Sequence, residues 1–307
     1  MKINNSRKPA RRLNPLDDYL FYKLFGEKGK EEQLLSFINA VLGRSEKDKY
    51  DSVEILENKS FSAETISDKA CELDIRARLK DKTSVIVEVQ IRNQHNMDKR
   101  SLYYWSREYI DNIEEGQDYI ELPKVIAINI VNYNFLDTDD FHTVFQLREA
   151  KNKDLILTES LEIHFLNMVK FRRLVKKDIV NDHLHRWLTW FDKSSPPELI
   201  EEVVTMDTTL LNAEEQLAYL SGDKDIKLLY ERRWKHKLDW NSSMGDARRE
   251  GEKKGLRKGL KEGLREGILE GKSNEKLEIA LKLKTIGRPI SEITEVTGLS
   301  QETVEKL

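Results

Sequence analysis

Two short stretches of the chain alternate apolar and polar residues with a period of two. In Cys71–Leu79 the positions Leu73, Ile75, Ala77 and Leu79 are apolar, and in Val85–Ile91 so are Val85, Val87, Val89 and Ile91. That alternation predicts strands that turn one face to a core. The polar segment Lys80–Ser84 joins them as a hairpin turn. If both apolar faces enter one core, odd residues lie opposite odd residues, and Asp74, Arg76, Glu88 and Gln90 share the other face. A three- or five-residue loop then sets Asp74 opposite or diagonal to Glu88, with the carboxylates close together. Beyond the polar run Arg92–Lys99 a helical pattern covers Arg100–Ile113. Lys124–Tyr133, reading Val-Ile-Ala-Ile-Asn-Ile-Val at its centre, is almost wholly apolar, which predicts a central strand covered on both sides.

Past residue 175 the periodicity turns helical. Leu184, Trp187, Leu188 and Phe191 recur at helical spacing, Ser194-Ser-Pro-Pro197 breaks the chain, and amphipathic pieces follow over Glu198–Met206, Asn212–Ser221 and Asp223–Lys237. We read 176–245 as a helical appendage on the sheet. His183 and His185 lie two apart and so do not share a helix face, which argues against a metal role. Within 246–272 glycine recurs at 251, 255, 259, 263, 267 and 271. Nine Lys/Arg stand against five Asp/Glu over 248–272, so this linker is locally basic. Each glycine costs a helix about 1 kcal/mol relative to alanine, which predicts a marginal helix or a tether. The tail, 273–307, reads as helix, turn and helix. Gly287-Arg-Pro289 is a stop, Ser291 and Ser300 are expected caps, and Gly298 a turn. The last helix would present Gln301, Glu302, Thr303, Glu305 and Lys306, too acidic for a groove-reading helix; a compact knob for self-association into a homo-oligomer suits it better.

Composition narrows the class. Of 307 residues 38% are hydrophobic and 35% charged, with a formal net charge of −3, so contact with a polyanion would have to come from local patches. No apolar run is long enough for a membrane span, and the basic start (Lys2, Arg7, Lys8, Arg11, Arg12) has no apolar stretch behind it, so no membrane partner is expected. The lone Cys71 excludes an internal disulfide and fits a reducing, cytoplasmic setting. Six scattered histidines without a cysteine pair make zinc a poor expectation.

The chemistry therefore centres on the acids. Two carboxylates sharing one face of a hairpin repel and raise each other's pKa, and a hard divalent cation such as Mg²⁺ removes that penalty. The plain alternative is a sheet with one solvated face, on which Asp, Arg, Glu and Gln need no further role. Asp17 and Asp18, ahead of Tyr-Leu-Phe, read equally as an N-cap and first-turn acid of a short helix. Tyr103 and Tyr104 lie near Trp105 on a helix whose aromatics are expected in the core.

Four segments in this order carry a resemblance. They are Asp17-Asp18-Tyr-Leu-Phe-Tyr-Lys-Leu-Phe-Gly26 with the helix Leu34–Leu42; Asp74 with Glu88-Val89-Gln90; Arg100-Ser-Leu-Tyr-Tyr104 running on to Tyr109, Gly116 and Tyr119; and the strand ending at Tyr133 with Phe145-Gln-Leu and Leu161-Glu-Ile-His164. Over residues 14–175 the chain resembles the PD-(D/E)XK nuclease superfamily, and within it the recombination-promoting nuclease, or PD-(D/E)XK putative transposase, family. The resemblance implies an α/β restriction-endonuclease-like core over 1–175, a mixed sheet flanked by helices. It also implies Mg²⁺-dependent hydrolysis of DNA phosphodiesters in a mobile-element, recombination-promoting context, with Mn²⁺ or Ca²⁺ as related ions. Asp74, Glu88 and the main-chain carbonyl of Val89 would hold the metal. Gln90 stands where the superfamily carries lysine and could only orient the water. Arg100 would support the phosphate, with Arg76 and Lys23 as weaker candidates. An acid from the first helix would join the site; Asp18 is favoured, with Asp17, Glu31 and Glu32 open. The missing lysine leaves a second class open, a catalytically weak DNA-binding or interaction module that keeps the nuclease fold.

Overall fold

The computed structural model describes residues 12–56 and 75–307. Asp74, Cys71 and the start of the strand expected there lie outside the described residues, as do Lys2, Arg7, Lys8 and Arg11.

Six strands form one mixed sheet among the described residues, in the order β1-β2-β3-β4-β6-β5: β1 Val53–Leu56, β2 Ile75–Leu79, β3 Ser84–Gln90, β4 Val125–Val131, β5 His142–Arg148 and β6 Ile156–Asn167. Pairing is antiparallel from β1 to β3 and between β5 and β6; β3, β4 and β6 run parallel. The β2–β3 register sets Ile75 opposite Val87 and Ala77 opposite Val85, the odd-with-odd pairing that the alternation predicts. The strands turn through Lys80–Lys82, where Lys82 takes φ 69° and Leu79 N–H donates to the Thr83 carbonyl at 2.9 Å. Every residue of β4 is buried, because a parallel central strand is covered on both faces by the segments that cross over it.

One face of the sheet is packed by helices α1 (Asp18–Phe25) and α2 (Glu31–Val41) together with later ones. The other is covered by α3 (Met97–Asp111), the crossover between β3 and β4. After the short α4 (Met168–Arg173) come α5 (His183–Phe191), α6 (Pro197–Met206) and α7 (Thr208–Gly222). The segment expected as an appendage contributes to the principal core. Trp187, Trp190 and Phe191 of α5 meet Phe25 with ring centroids 5.4, 6.4 and 5.7 Å apart, and Phe37 of α2 packs against Trp187. Edge-on and tilted contacts of this kind add about 0.5–1.5 kcal/mol each beyond the area buried. The indoles are satisfied, Trp187 by Ser36 Oγ at 3.2 Å and Trp190 by Glu214 at 2.7 Å. On the same side as this core, at the β5–β6 edge, His142 hydrogen-bonds His164, which bonds Glu162, itself paired with Lys124.

The chain divides into two units, residues 1–230 and 231–307. Helix α8 spans Lys224–Thr285, and α9 (Ile290–Thr297) and α10 (Gln301–Lys306) follow. The glycine repeat is helical throughout, each glycine facing open space. Ala280, Ile293 and Val304 make a small buried core of the second unit. Gly298 takes φ 68° and Ser300 accepts from Thr303 N–H, as the turn and cap require. Ser291 is not a cap; α9 already begins at Ile290, with Pro289 at the N-cap position.

Candidate active site

Glu88 sits on β3 with its side chain toward α3, and it is buried to 3% exposure. The solvated face that would make it unremarkable does not exist, because α3 lies over it. Its counter-charge comes from that helix: Arg100 Nε donates to Glu88 Oε1 at 2.5 Å. Arg100 also lies over the ring of Tyr104, 5.1 Å from the centroid, which fixes the guanidinium from its other side. The parallel register puts Asn129 of β4 beside Glu88; this buried amide donates to the His164 carbonyl at 3.1 Å.

Two residues on, half-buried Gln90 donates an amide N–H to the Arg92 carbonyl at 3.1 Å. Its Oε1 has no protein partner among the described residues. Burial pulls the Arg92 guanidinium below its usual range, and the negative charge of Asp18 opposes that. Helix α1 contacts β3, and the charge of Asp18 at its start reaches Arg92, two residues past Gln90. Asp17 occupies the N-cap position of α1 but makes no side-chain cap bond. Glu31 accepts from Gly29 N–H at 2.8 Å and Glu32 is exposed, both at the start of α2. Val89 turns its side chain to the principal core, which leaves its main chain as the group it could offer a metal. Tyr133, just past β4, has its phenol pushed up to about 12, first by burial and then by the charge of Glu88, with Arg100 opposing; it is a neutral hydroxyl beside the carboxylate.

Other candidates are placed elsewhere. Arg76 is neither a plain surface charge nor turned to Glu88: its Nε donates at 2.5 Å to Glu108, a carboxylate of α3 buried to 4%. Lys23, in the last turn of α1, pairs with Glu27 just beyond the helix. Trp105 and Tyr109 are core-like, stacked at 4.9 Å with the indole N–H on the Val125 carbonyl at 2.9 Å, whereas Tyr103 is 60% exposed. Periodicity does not mark Tyr133, Glu108, Arg92 or Asn129 as partners of these groups. Asn129 alone carries a signal, as the polar interruption of an apolar strand.

Among the described residues no cluster of three His, Cys, Asp or Glu side chains could hold a metal. No helix among them is long and apolar enough to cross a membrane. Residues 15–247 match the sequence model of the PD-(D/E)XK nuclease family transposases. No curated protein and no solved structure matches the chain.

Proposed function

The chain belongs to the PD-(D/E)XK nuclease family transposases, and from that premise we propose that it is a Mg²⁺-dependent, cytoplasmic DNA endonuclease of a recombination-promoting kind. The observation that carries the reading is a buried carboxylate, Glu88, on a parallel strand, with its counter-ion Arg100 supplied by the crossover helix and Gln90 two residues along. The donors fit a hard ion. Glu88 and the Val89 carbonyl offer oxygen, and no His or Cys is needed, which favours Mg²⁺, Mn²⁺ or Ca²⁺ over zinc. Asp74, which lies outside the described residues, is proposed as the second carboxylate, because the alternation read from the sequence puts it on the strand face that Glu88 shares. A bound ion would stabilise charge on the scissile phosphate and acidify a water.

The remaining roles belong to the chain itself. Gln90 Oε1 accepts a hydrogen bond from the attacking water and orients it. The water oxygen forms the new bond to phosphorus as the bond to one ester oxygen breaks, and that oxygen leaves with a proton. Arg100, at 15% side-chain exposure, borders solvent, so its guanidinium can pass from Glu88 to a phosphate oxygen. Tyr133 holds its proton and offers a neutral donor. Asp18 is proposed to set the position of Arg92.

We also propose self-association through 246–307, on the exposed Leu256, Leu260, Leu264 and Ile268 that follow successive glycines; light scattering of the full chain against one ending at 245 tests it. The competing reading, a DNA-binding module without turnover, rests on Gln90 in place of lysine. Nicking of supercoiled plasmid with Mg²⁺, Mn²⁺, Ca²⁺ or EDTA separates the two. Metal-dependent nicking by wild type, lost in Asp74→Ala and Glu88→Ala, supports the nuclease; binding without nicking under every metal supports the module, and nicking that survives both substitutions refutes the site.

A further inference from the structure

The outer face of α3 carries a feature that hydrolysis does not use. Tyr103 is 60% exposed and meets Tyr104 edge-on, with ring centroids 5.5 Å apart and planes at 68°. Tyr104 is in turn capped by Arg100, 5.1 Å from its ring, and Arg100 is bonded to Glu88. A continuous line of contacts thus runs from the buried carboxylate to a surface aromatic. Lys99 and Arg107, one helical turn before and after Tyr103, are exposed, and neither has an ion-pair partner among the described residues. An aromatic face between two unpaired cations, next to a phosphodiester site, matches the chemistry of single-stranded nucleic acid: phosphates for the cations, a base for the ring. A paired duplex keeps its bases stacked inside and offers the ring nothing to cover.

We propose that Tyr103, braced by Tyr104, is a stacking platform for an unpaired base beside the scissile phosphate, so that DNA with single-stranded character (a flap, gap or bubble) is bound in preference to intact duplex. This rests on the nuclease reading of the same site. Its test is fluorescence anisotropy in EDTA with three probes: a 20-nucleotide single strand, a flap and a blunt duplex. A 2-aminopurine at the unpaired position reports stacking directly. Wild type is expected to bind strand and flap more tightly than duplex. Tyr103→Ala should weaken the first two roughly 10- to 100-fold, leave duplex binding unchanged within about twofold, and abolish 2-aminopurine quenching, whereas Tyr103→Trp should preserve all three. The exposed position leaves folding intact, which a thermal melt verifies. Equal losses on duplex and single strand, or no loss on either, overturn the platform while leaving plasmid nicking and the nuclease reading in place. A wild type that neither binds nor nicks any DNA overturns the nuclease reading as well.

Discussion

Replacing Arg100 by methionine keeps an unbranched apolar stem and removes the guanidinium with its charge and hydrogen bonds. The structure sets the expected cost. The partners are 15% and 4% exposed at the side chain, so the substitution takes a counter-charge from a carboxylate that water hardly reaches. Removing one partner of a buried ion pair costs about 3–5 kcal/mol, and the slight exposure of Arg100 argues for the lower end, about 3. The lost contact with Tyr104 adds about 0.5–1 kcal/mol. In a unit of 230 residues each kcal/mol moves the midpoint by about 2–4 °C, so the total of about 3.5–4 kcal/mol should lower Tm by about 7–16 °C. Circular-dichroism melts and urea titrations measure it. The double variant Glu88→Gln/Arg100→Met removes both charges and should be more stable than the sum of the single losses allows, with a coupling of about 2–3 kcal/mol. If an ion occupies the site, it replaces the missing cation: Mg²⁺ or Ca²⁺ at about 100 times its Kd should restore about 2.7 kcal/mol to Arg100→Met, more than it adds to wild type. A fall in Tm below about 2 °C, or strict additivity in the double variant, refutes the claim that Arg100 neutralises Glu88.

Glu108→Ala should cost about 2 kcal/mol, since Arg76 loses its buried partner but keeps Asp111 at 4.0 Å and some solvent, yet leave plasmid nicking unchanged below the melting range, since that pair ties β2 to α3. His142 is held near 4 against an ordinary 6.5, first by burial and then by His164, so the unfolded chain binds the extra proton and stability falls as pH drops from about 6.5 to 4. After discounting for its partial exposure this is about 1–3 kcal/mol, and urea titrations across that window should show the slope flattened in His142→Gln. Glu162, held near 2 against 4.5 chiefly by its bond to His164, contributes stability above pH 4.5 that is lost as pH falls toward 2, so the remaining acid loss in His142→Gln should lie in that lower range. Gly259→Ala and Gly263→Ala meet open space and should each stabilise α8 by about 1 kcal/mol, read as a rise in helicity and midpoint; a lower midpoint would mean that another surface packs closely on the glycines.

The elements that proved legible are those whose burial is one-sided or total. The run around Val125–Val131 specified a central strand, Leu184, Trp187, Leu188 and Phe191 lie on one helix, α5, and the parity of Ile75, Ala77, Val85 and Val87 fixed the hairpin register. The cover over Glu88 was not legible, because α3 buries only Met97, Ser101 and Glu108 and holds its place largely through polar contacts that leave no apolar stripe. That Glu88 and Gln90 share one strand face could be read from the alternation, but the groups that surround them could not. Arg100, Tyr133 and Arg92 are joined to the strand by tertiary packing, and nothing local says which charges meet. The glycine repeat left helix and tether open, because propensity counts only the cost of each glycine; the helix runs through Thr285 with Arg248 and Glu252, and Lys254 and Glu250, paired along it.

The central claim is that Asp74 and Glu88 are ligands of one ion. Titration of Mn²⁺ into the protein, followed by the loss of its free-ion electron paramagnetic resonance signal, tests this without DNA and without turnover. One ion per chain is expected, with binding abolished in Asp74→Ala and in Glu88→Ala alike and recovered in neither by raising pH. Unchanged affinity in either variant would contradict a shared site.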